Sequence, residues 1–351
     1  MRISSKILKF IIFMIIGIII LQVLTYIFVP KFIEQQDPAG ARIKSFYCEK
    51  NNSLDVIFIG NSESSRAYSP IYIWNQYGIT SYNYSSSVQP VQIAYYKLKE
   101  TLKYQNPKVI VLEVNSFFDY GSTEEAYRRV IDNWKFDTVK LETIFDKNIK
   151  LENKLSYLFP ILRYHSRWNE LETNDFRKLT NEYKAISYKG FPMIVSKNAY
   201  KGDINYMKDN GKIANISEKN IEYIDKIITL CNKKNIKILM AELPSPLVWS
   251  LDKNKATIEL ANKYGLEFID FNILQEEIKL NWENDTYDKG RHLNIYGAEK
   301  VSKYIGKILS EKYNLPNHKE DSNVKDDWNE TAKNYEEEKT KLKKELINKQ
   351  E

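Results

Sequence analysis

Short apolar runs alternate with amphipathic stretches over most of the chain, and this alternation limits the possible folds more than any other feature. Val56–Ile59, residues 108–114 (KVIVLEV) and residues 236–243 (IKILMAEL) are aliphatic or β-branched and have the length of buried strands. Glu218–Lys233 instead carries apolar residues at helical spacing. Strands that alternate with helices predict a mostly parallel sheet with helices on both faces. In such sheets, ligands bind at the carboxyl ends of the strands.

Weaker segments complete the alternation. We predict short strands at residues 81–84 and 267–271, and helices at residues 90–104, 255–264 and 296–313. Residues 120–215 break the pattern, since they are rich in aromatic residues and read as helical. We interpret them as a helical insertion that covers the strand ends as a lid or substrate-binding cap. A second packing layer without a functional role is the alternative.

The N-terminus carries a long apolar run over residues 8–29, and Arg2 and Lys6 precede it. The run is long enough to span a bilayer. The cationic side comes first, so we expect a cytoplasmic N-terminus and a folded domain outside the cytoplasm. A cleaved signal peptide is the alternative, but the run exceeds a usual signal core and no clean A-x-A site follows it. We therefore predict a single-pass anchor in the cell membrane over residues 1–30.

Polarity sets the remaining boundaries. We predict a tether over residues 31–53, an α/β domain over residues 54–316 and a charged C-terminal tail over residues 317–351. Charge pairs four residues apart would also suit an exposed helix over residues 329–349. A solvated tail is the favoured interpretation.

Composition excludes several classes of function. The net charge is only +6 over 351 residues, and no basic cluster is interleaved with aromatic residues, so a nucleic-acid partner is not expected. The two cysteines form no CxxC motif and the three histidines are far apart, which argues against a metal site. No cofactor is expected. Cys231 lies on the apolar face of its predicted helix and is interpreted as a core thiol.

Ser62 is the first candidate for chemistry. It follows a predicted buried strand and the breaking pair Gly60-Asn61, and a helix-compatible stretch begins directly after it. A serine on such a turn holds its hydroxyl at the carboxyl edge of the sheet, near helix-start N–H groups that can stabilise a developing negative charge. The alternative is that Ser62 only caps the helix.

A second candidate segment lies on the loop before the last predicted helix, where Asp288 precedes His292. A nucleophilic serine needs a base to accept its proton and a carboxylate to orient that base. Lys289 and Arg291 flank the base and could attract an anionic polymer. Ordinary solvated charges are the favoured reading of these two residues.

Together the two segments resemble the SGNH/GDSL hydrolase superfamily over residues 54–315. Gly60-Asn61-Ser62 matches its first block, with asparagine where many members have aspartate, and the Asp288–His292 segment matches its last block. Residues 292–300 (HLNIYGAEK) look like the membrane-anchored branch related to the lipoteichoic-acid D-alanylation protein DltD and to alginate O-acetylation proteins. The resemblance implies a three-layer, flavodoxin-like α/β sandwich. It also implies Ser62 as nucleophile, His292 as base and Asp288 as acid.

The chain departs from the family pattern at three points. Three residues separate Asp288 from His292 where two are usual, so Asp285 is a reserve candidate for the acid. The second block lacks its glycine, and the resemblance implies that the Ser85 backbone N–H takes its place in the oxyanion hole. Asn115 is the nearest match to the asparagine of the third block. It could equally be a turn residue at the end of a strand.

The resemblance implies acyl transfer through an acyl-serine, with either water or a polymer hydroxyl as the acceptor. The expected function is a membrane-anchored, extracytoplasmic serine esterase or O-acyltransferase that acts on cell-envelope glycopolymers. A polysaccharide or teichoic-acid-like polymer and a membrane-bound O-acyltransferase are the expected partners. A non-catalytic accessory protein that binds such a polymer or acyltransferase is the alternative, and a purely structural envelope protein is a weaker one.

Overall fold

Five strands form one parallel sheet in the computed structural model, which describes residues 4–29, 39–118, 124–176 and 188–348. The strands are β1 (Val56–Ile59), β2 (Ser81–Asn83), β3 (Val109–Glu113), β4 (Lys237–Glu242) and β5 (Glu267–Asp270). Their order in the sheet is β2-β1-β3-β4-β5, and every neighbouring pair is parallel. All the carboxyl ends therefore meet at one edge.

Helices cover both faces of the sheet. Their bounds are α1 (Ser5–Phe28), α2 (Ala39–Phe46), α3 (Ser62–Ala67), α4 (Pro70–Tyr77), α5 (Val91–Thr101), α6 (Glu124–Ile131), α7 (Thr138–Ile144), α8 (Leu151–Leu158), α9 (Ile161–Tyr164), α10 (Glu218–Lys233), α11 (Leu251–Tyr264), α12 (Ile295–Glu311) and α13 (Lys325–Asn348). Ile57 and Ile110 pack in one core with α5 and α10, whereas Phe58 and Val111 pack in a second core with α12. The three-layer α/β sandwich predicted from the sequence is confirmed.

The apolar N-terminal run forms α1, which is long and apolar enough to cross a membrane. Its side chains are mostly exposed, and residues of its last turns line a cavity against the described part of the folded domain. The membrane span and its orientation stay predictions.

The predicted tether over residues 31–53 is wrong from residue 39 onward, because α2 belongs to the folded domain. Arg42 is buried, and its guanidinium donates to the carbonyl oxygens of Ser85 (2.5 Å) and Gly190 (2.6 Å). Phe46 is fully buried and stacks on Tyr84 at 4.5 Å between ring centroids. These contacts join α2 to segments distant in sequence, so local polarity does not reveal them. Residues 30–38 of the predicted tether lie outside the described residues.

The favoured solvated tail over residues 317–351 is also wrong for most of its length, because residues 325–348 form α13. Trp328, Ala332 and Tyr335 recur at helical spacing and are buried. Trp328 lies 5.1 Å from Trp74 of α4, measured between ring centroids. The charged residues of the segment occupy the outer faces of this helix. Because they outnumber the apolar residues, composition alone does not reveal the apolar stripe.

The predicted insertion contains two distinct parts. Residues 124–176 form α6 to α9 and two short 3-10 turns, and this part packs beside α1 and α5. Residues 191–216 have no helix or strand, and residues 194–198 bond to the loop that carries His292. Residues 119–123 and 177–187 lie outside the described residues. A lid or cap function stays a prediction.

Candidate active site

Ser62 is the first residue of α3 and does not cap that helix. The N-cap is Asn61, whose side-chain Oδ1 accepts the Glu63 N–H at 3.0 Å. The Ser62 hydroxyl is therefore released from capping, which removes the alternative reading of this residue. Ser62 is half-buried, whereas residues 63–67 of the same helix are buried. Its hydroxyl faces the carboxyl edge of the sheet and donates to Glu63 Oε2 at 3.3 Å.

Gly60 permits the close approach of β1 to β3 on which this turn depends. A Cβ atom at Gly60 would lie 2.4 Å from the Cβ of Glu113, so no larger residue fits without a shift of the backbone. Glu113 is the last residue of β3, and its Oε2 accepts the Asn61 N–H at 3.1 Å. The start of α3 is thus fixed by a carboxyl group of the neighbouring strand.

Asp288 and His292 form a closely bonded pair. Asp288 Oδ2 lies 2.5 Å from His292 Nδ1, and Asp288 Oδ1 accepts the His292 backbone N–H at 2.8 Å. Partial burial raises the pKa of Asp288, but the bonds from His292 outweigh it, and the net pKa is lowered. An ionised carboxylate at Nδ1 leaves Nε2 as the nitrogen that can accept a proton.

The unusual spacing between acid and base is accommodated by the backbone. Lys289 (φ 63°) and Gly290 (φ 91°) are both left-handed, which turns the chain back within three residues. Thr286 Oγ1 accepts the Gly290 N–H at 2.9 Å and donates to the His292 carbonyl at 2.8 Å. The extra residue therefore lengthens the turn without separating the Asp288 carboxylate from the imidazole.

Residues 191–216 of the insertion hold this loop from outside. The Asn198 N–H donates to the Thr286 carbonyl at 3.0 Å, and the Lys289 N–H donates to the Asn198 carbonyl at 3.0 Å. Lys289 and Arg291 extend into solvent on the outer side of the turn.

Asp285, the reserve acid, has other partners. Its buried carboxylate lies 2.6 Å from Lys300 Nζ and accepts the Asn281 N–H at 2.6 Å. The acid in contact with His292 is Asp288.

Glu63 links the serine and histidine segments, and sequence reasoning missed it. Its Oε1 lies 3.9 Å from His292 Nε2, and both of these buried atoms lack a hydrogen-bond partner within the described residues. Its Oε2 accepts the Ser62 hydroxyl. Ser62 and His292 thus face different oxygens of the same carboxylate. In this conformation the Ser62 hydroxyl bonds to Glu63 and not to His292. An acid directly after the serine was the available signal.

The two candidate oxyanion donors differ. Ser85 lies beside α3, where its hydroxyl bonds to that of Ser64 at 2.6 Å, but its backbone N–H is 3.3 Å from Asn83 Oδ1 and thus has an internal acceptor. Asn115 is fully buried, and its Nδ2 has no hydrogen-bond partner among the described residues. The Asn115 amide is the better candidate of the two, because a buried donor without a partner is costly unless a ligand uses it.

Lys253, on α11, fixes the orientation of the Asn115 amide. Its Nζ donates to Asn115 Oδ1 at 3.0 Å and to the Val248 carbonyl at 2.7 Å. Because the ammonium group can only donate, it selects the amide rotamer in which Nδ2 faces away from it. Burial lowers the pKa of Lys253, although the nearby charge of Glu242 opposes this.

A pair of buried carboxyl groups lies beneath the site. The Asn115 backbone N–H is 2.8 Å from Glu113 Oε1 and 2.9 Å from Glu242 Oε2. Burial raises the pKa of Glu113, and the charge of Glu63 adds to the effect. Burial also raises the pKa of Glu242, as does the neighbouring Glu113. The two carboxyl groups accept the same N–H and burial raises both pKa values, so we infer that they share a proton near neutral pH. Acids within otherwise apolar strands were the sequence signal for this pair.

No protein-family model and no curated protein sequence matches the chain. Several solved structures resemble it, and three of them are the following. A protein described as lipolytic, of the G-D-S-L family, from Desulfitobacterium hafniense has 11% identity and a TM-score of 0.38, with 74% of this chain and all of that chain covered. An acylhydrolase-like protein from Bacteroides fragilis has 11% identity and a TM-score of 0.36, with 77% and 94% covered. A GDSL-like lipase-type protein from Parabacteroides merdae has 12% identity and a TM-score of 0.34, with 76% and 99% covered. TM-scores below 0.5 do not transfer a site from one protein to another, and the roles of the site residues follow from their own geometry.

The raised pKa of the carboxyl pair predicts a pH-dependent stability. A free glutamate has a pKa of about 4.3, whereas the carboxyl pair in the folded protein keeps its proton to a higher pH. The free energy of unfolding therefore falls as pH rises from the pKa of the unfolded chain to that of the folded pair. Glu242→Gln retains an oxygen acceptor and removes one charge. The free energy of unfolding should fall between about pH 5 and about pH 8 in both proteins. We expect the fall to be smaller in the variant than in the wild type by roughly 1–3 kcal/mol. Denaturant unfolding in mild detergent at each pH measures it.

Glu337→Gln on the exposed face of α13 is the matched control, since its side chain is 65% exposed. Its pH dependence should equal that of the wild type. An identical pH dependence for Glu242→Gln and the wild type would contradict the shared proton.

Proposed function

We propose that the protein is a serine hydrolase or acyltransferase that works through an acyl-serine intermediate. The observation that carries the proposal is the Asp288–His292 pair, whose unpartnered Nε2 lies at the carboxylate that also binds the Ser62 hydroxyl. A nucleophile, a base and an orienting acid at the carboxyl edge of a parallel sheet are the parts that acyl transfer requires.

The proposed reaction begins with a rotation of the Ser62 side chain from Glu63 toward His292. Ser62 Oγ attacks the carbonyl carbon of an ester while His292 Nε2 accepts the hydroxyl proton. Asp288 stabilises the resulting imidazolium, and the buried Glu63 carboxylate adds a second negative charge on its other side. His292 then returns the proton to the leaving alcohol. Water, or a hydroxyl of a polymer, resolves the acyl-serine by the reverse steps.

The tetrahedral oxyanion needs hydrogen-bond donors. The Asn115 Nδ2 group supplies one in this proposal, and the Ser62 N–H at the start of α3 supplies another. The Ser85 N–H would contribute only after it left Asn83. Lys253 keeps the Asn115 amide in the required orientation and places a positive charge behind it.

The location and substrate form the finer part of the proposal. If α1 spans the membrane with its positive side inside, the site lies outside the cytoplasm. The resemblance of residues 292–300 to the membrane-anchored branch of SGNH proteins supports a cell-envelope glycopolymer as substrate or acceptor. A membrane-bound O-acyltransferase would be the donor partner if the reaction is transfer.

A non-catalytic accessory protein is the second candidate. Two observations favour it: the Ser62 hydroxyl bonds to Glu63, and the Ser85 N–H has an internal acceptor. In that case the same edge would bind a polymer or an acyltransferase without turnover.

Labelling by a fluorophosphonate probe separates the two candidates. We expect stoichiometric labelling of the wild type and none of Ser62→Ala, because the probe reacts with an activated serine. His292→Ala should slow labelling by at least about 100-fold, since it removes the base. Intact-mass spectrometry and in-gel fluorescence measure both results.

Ser87→Ala is the matched control, as Ser87 is another partly exposed serine near the sheet edge, and it should label like the wild type. A folded wild type that remains unlabelled while it retains polymer binding would favour the accessory function.

The role of Lys253 can be tested through Asn115. We expect Asn115→Ala to lower kcat/KM for a soluble aryl ester by about 10²–10³-fold, as the loss of one oxyanion donor does. Lys253→Met should lower it in the wild-type background but by less than about 3-fold in the Asn115→Ala background, because Lys253 acts through the amide. Steady-state kinetics of the four proteins measures this coupling.

Lys253→Arg, which keeps a donor and a charge, should restore part of the activity. Equal losses from Lys253→Met in both backgrounds would contradict the positioning role.

A further inference from the structure

Large apolar side chains lie exposed on one part of the insertion. Among the described residues outside α1, seven of the exposed ones fall within residues 136–176: Phe136, Phe145, Leu151, Leu155, Leu162, Trp168 and Phe176. Leu151 is 80% exposed and Trp168 is 72% exposed. Exposed apolar side chains that lie close together mark an interaction surface, and α8, α9 and the 3-10 turns that follow contact one another or α1. We call residues 145–176 the apolar collar.

The same segment packs against the membrane-type helix. α9 and the 3-10 turns His165–Asn169 and Thr173–Phe176 all contact α1. Arg167 Nη1 donates to the Phe28 carbonyl at the end of α1 at 2.5 Å, and Arg167 also pairs with Asp175. The part of the collar from α9 onward therefore packs against α1, and Arg167 bonds to the end of that helix. The end of α1 is the level of a membrane surface if α1 crosses the membrane.

The chemistry of the collar suits a lipid interface. Leu151 and Leu155 lie four residues apart on α8 and so share one face. Lys150 next to them is 78% exposed and can extend its ammonium toward lipid phosphates while its stem lies along apolar surface. Tryptophan, leucine and lysine, all exposed in the collar, are residue types typical of interfacial membrane segments.

A cavity of about 480 Å³ between α1 and the domain supports the same partner. It is lined by the last turns of α1, by α2 and by residues 132–136, and it includes Phe136 of the exposed set. Thr25 Oγ1 and Gln22 Nε2 border it without hydrogen-bond partners in the described structure. The lining mixes apolar side chains with lysines (Lys44, Lys135 and Lys140), a combination that suits the acyl chains and phosphate oxygens of a lipid.

We propose that the apolar collar inserts into the outer leaflet of the bilayer beside α1. This inference rests on the proposed membrane anchoring. The protein is then attached at two places, the spanning helix and the collar, and the α/β domain is held at a fixed tilt to the membrane surface. A substrate or partner embedded in or tethered to that membrane would meet the site in one orientation.

Site-directed spin labelling of the full chain in phosphatidylglycerol/phosphatidylethanolamine vesicles tests the proposal. Single cysteines at Leu155 (collar), Ile15 (α1) and Lys333 (control) are introduced in a Cys48→Ala background. Cys231 is fully buried. Lys333 lies on α13 with its side chain 76% exposed. Power saturation compares the collision of each label with oxygen, which partitions into lipid, and with a water-soluble nickel chelate.

We expect oxygen to dominate at positions 15 and 155, with position 155 shallower, and the nickel chelate to dominate at position 333. A lipid signal at position 15 together with an aqueous signal at position 155 would overturn the collar. An aqueous signal at position 15 would overturn the anchoring and the collar with it. Fluorophosphonate labelling of the same samples reports on Ser62 separately, so a failure of the proposed chemistry is distinguishable from either result.

Discussion

The buried carboxyl group of Glu113 is the constraint on which the candidate site depends. It accepts the backbone N–H of Asn61 at 3.1 Å and that of Asn115 at 2.8 Å, so one side chain fixes the turns that follow β1 and β3. Its closeness to the neighbouring strand is also the reason that Gly60 precedes the serine turn. A buried carboxyl is costly unless it is bonded and its charge is reduced. The two backbone N–H donors, with the proton that we infer for the Glu113–Glu242 pair, meet that condition. The serine and the oxyanion candidate are thereby positioned by the core of the sheet and not by loops alone.

The parallel sheet and the position of Ser62 at its edge could be predicted because both depend on local patterns: apolar runs of strand length and a break before a helix. Asp288 and His292 were also accessible, since they lie within one short segment. The role of Glu113 was not, because it arises from the register of β1 against β3, which brings residues 52 apart in sequence into contact. Trp328 was missed for a different reason. Only a few apolar residues of its helix lie at helical spacing within a strongly charged segment. The prediction of a solvated tail followed the charged composition and not this spacing.

The Glu63 carboxylate separates the two candidate functions, because its bond to Ser62 keeps the serine hydroxyl from bonding to His292. Its carboxylate binds the serine hydroxyl with one oxygen and faces His292 Nε2 with the other. A rotation of one serine side chain separates this arrangement from a nucleophile bonded to its base. A change between staggered rotamers costs little free energy. The Asp288–His292 pair and the Asn115 amide are already in place. A substrate that displaces the hydroxyl from Glu63 would complete the site, whereas a ligand that leaves it in place would only bind.

The most direct test of the account is the detection of the acyl-serine itself. The purified full-length protein is mixed with an activated aryl acetate, quenched with acid within the first turnover and digested with trypsin. The account predicts a burst of one equivalent of phenol and an acetyl group on Ser62 within the peptide of residues 51–66. The absence of both burst and acetylated peptide in a folded protein, or an acetyl group on another residue, would contradict it.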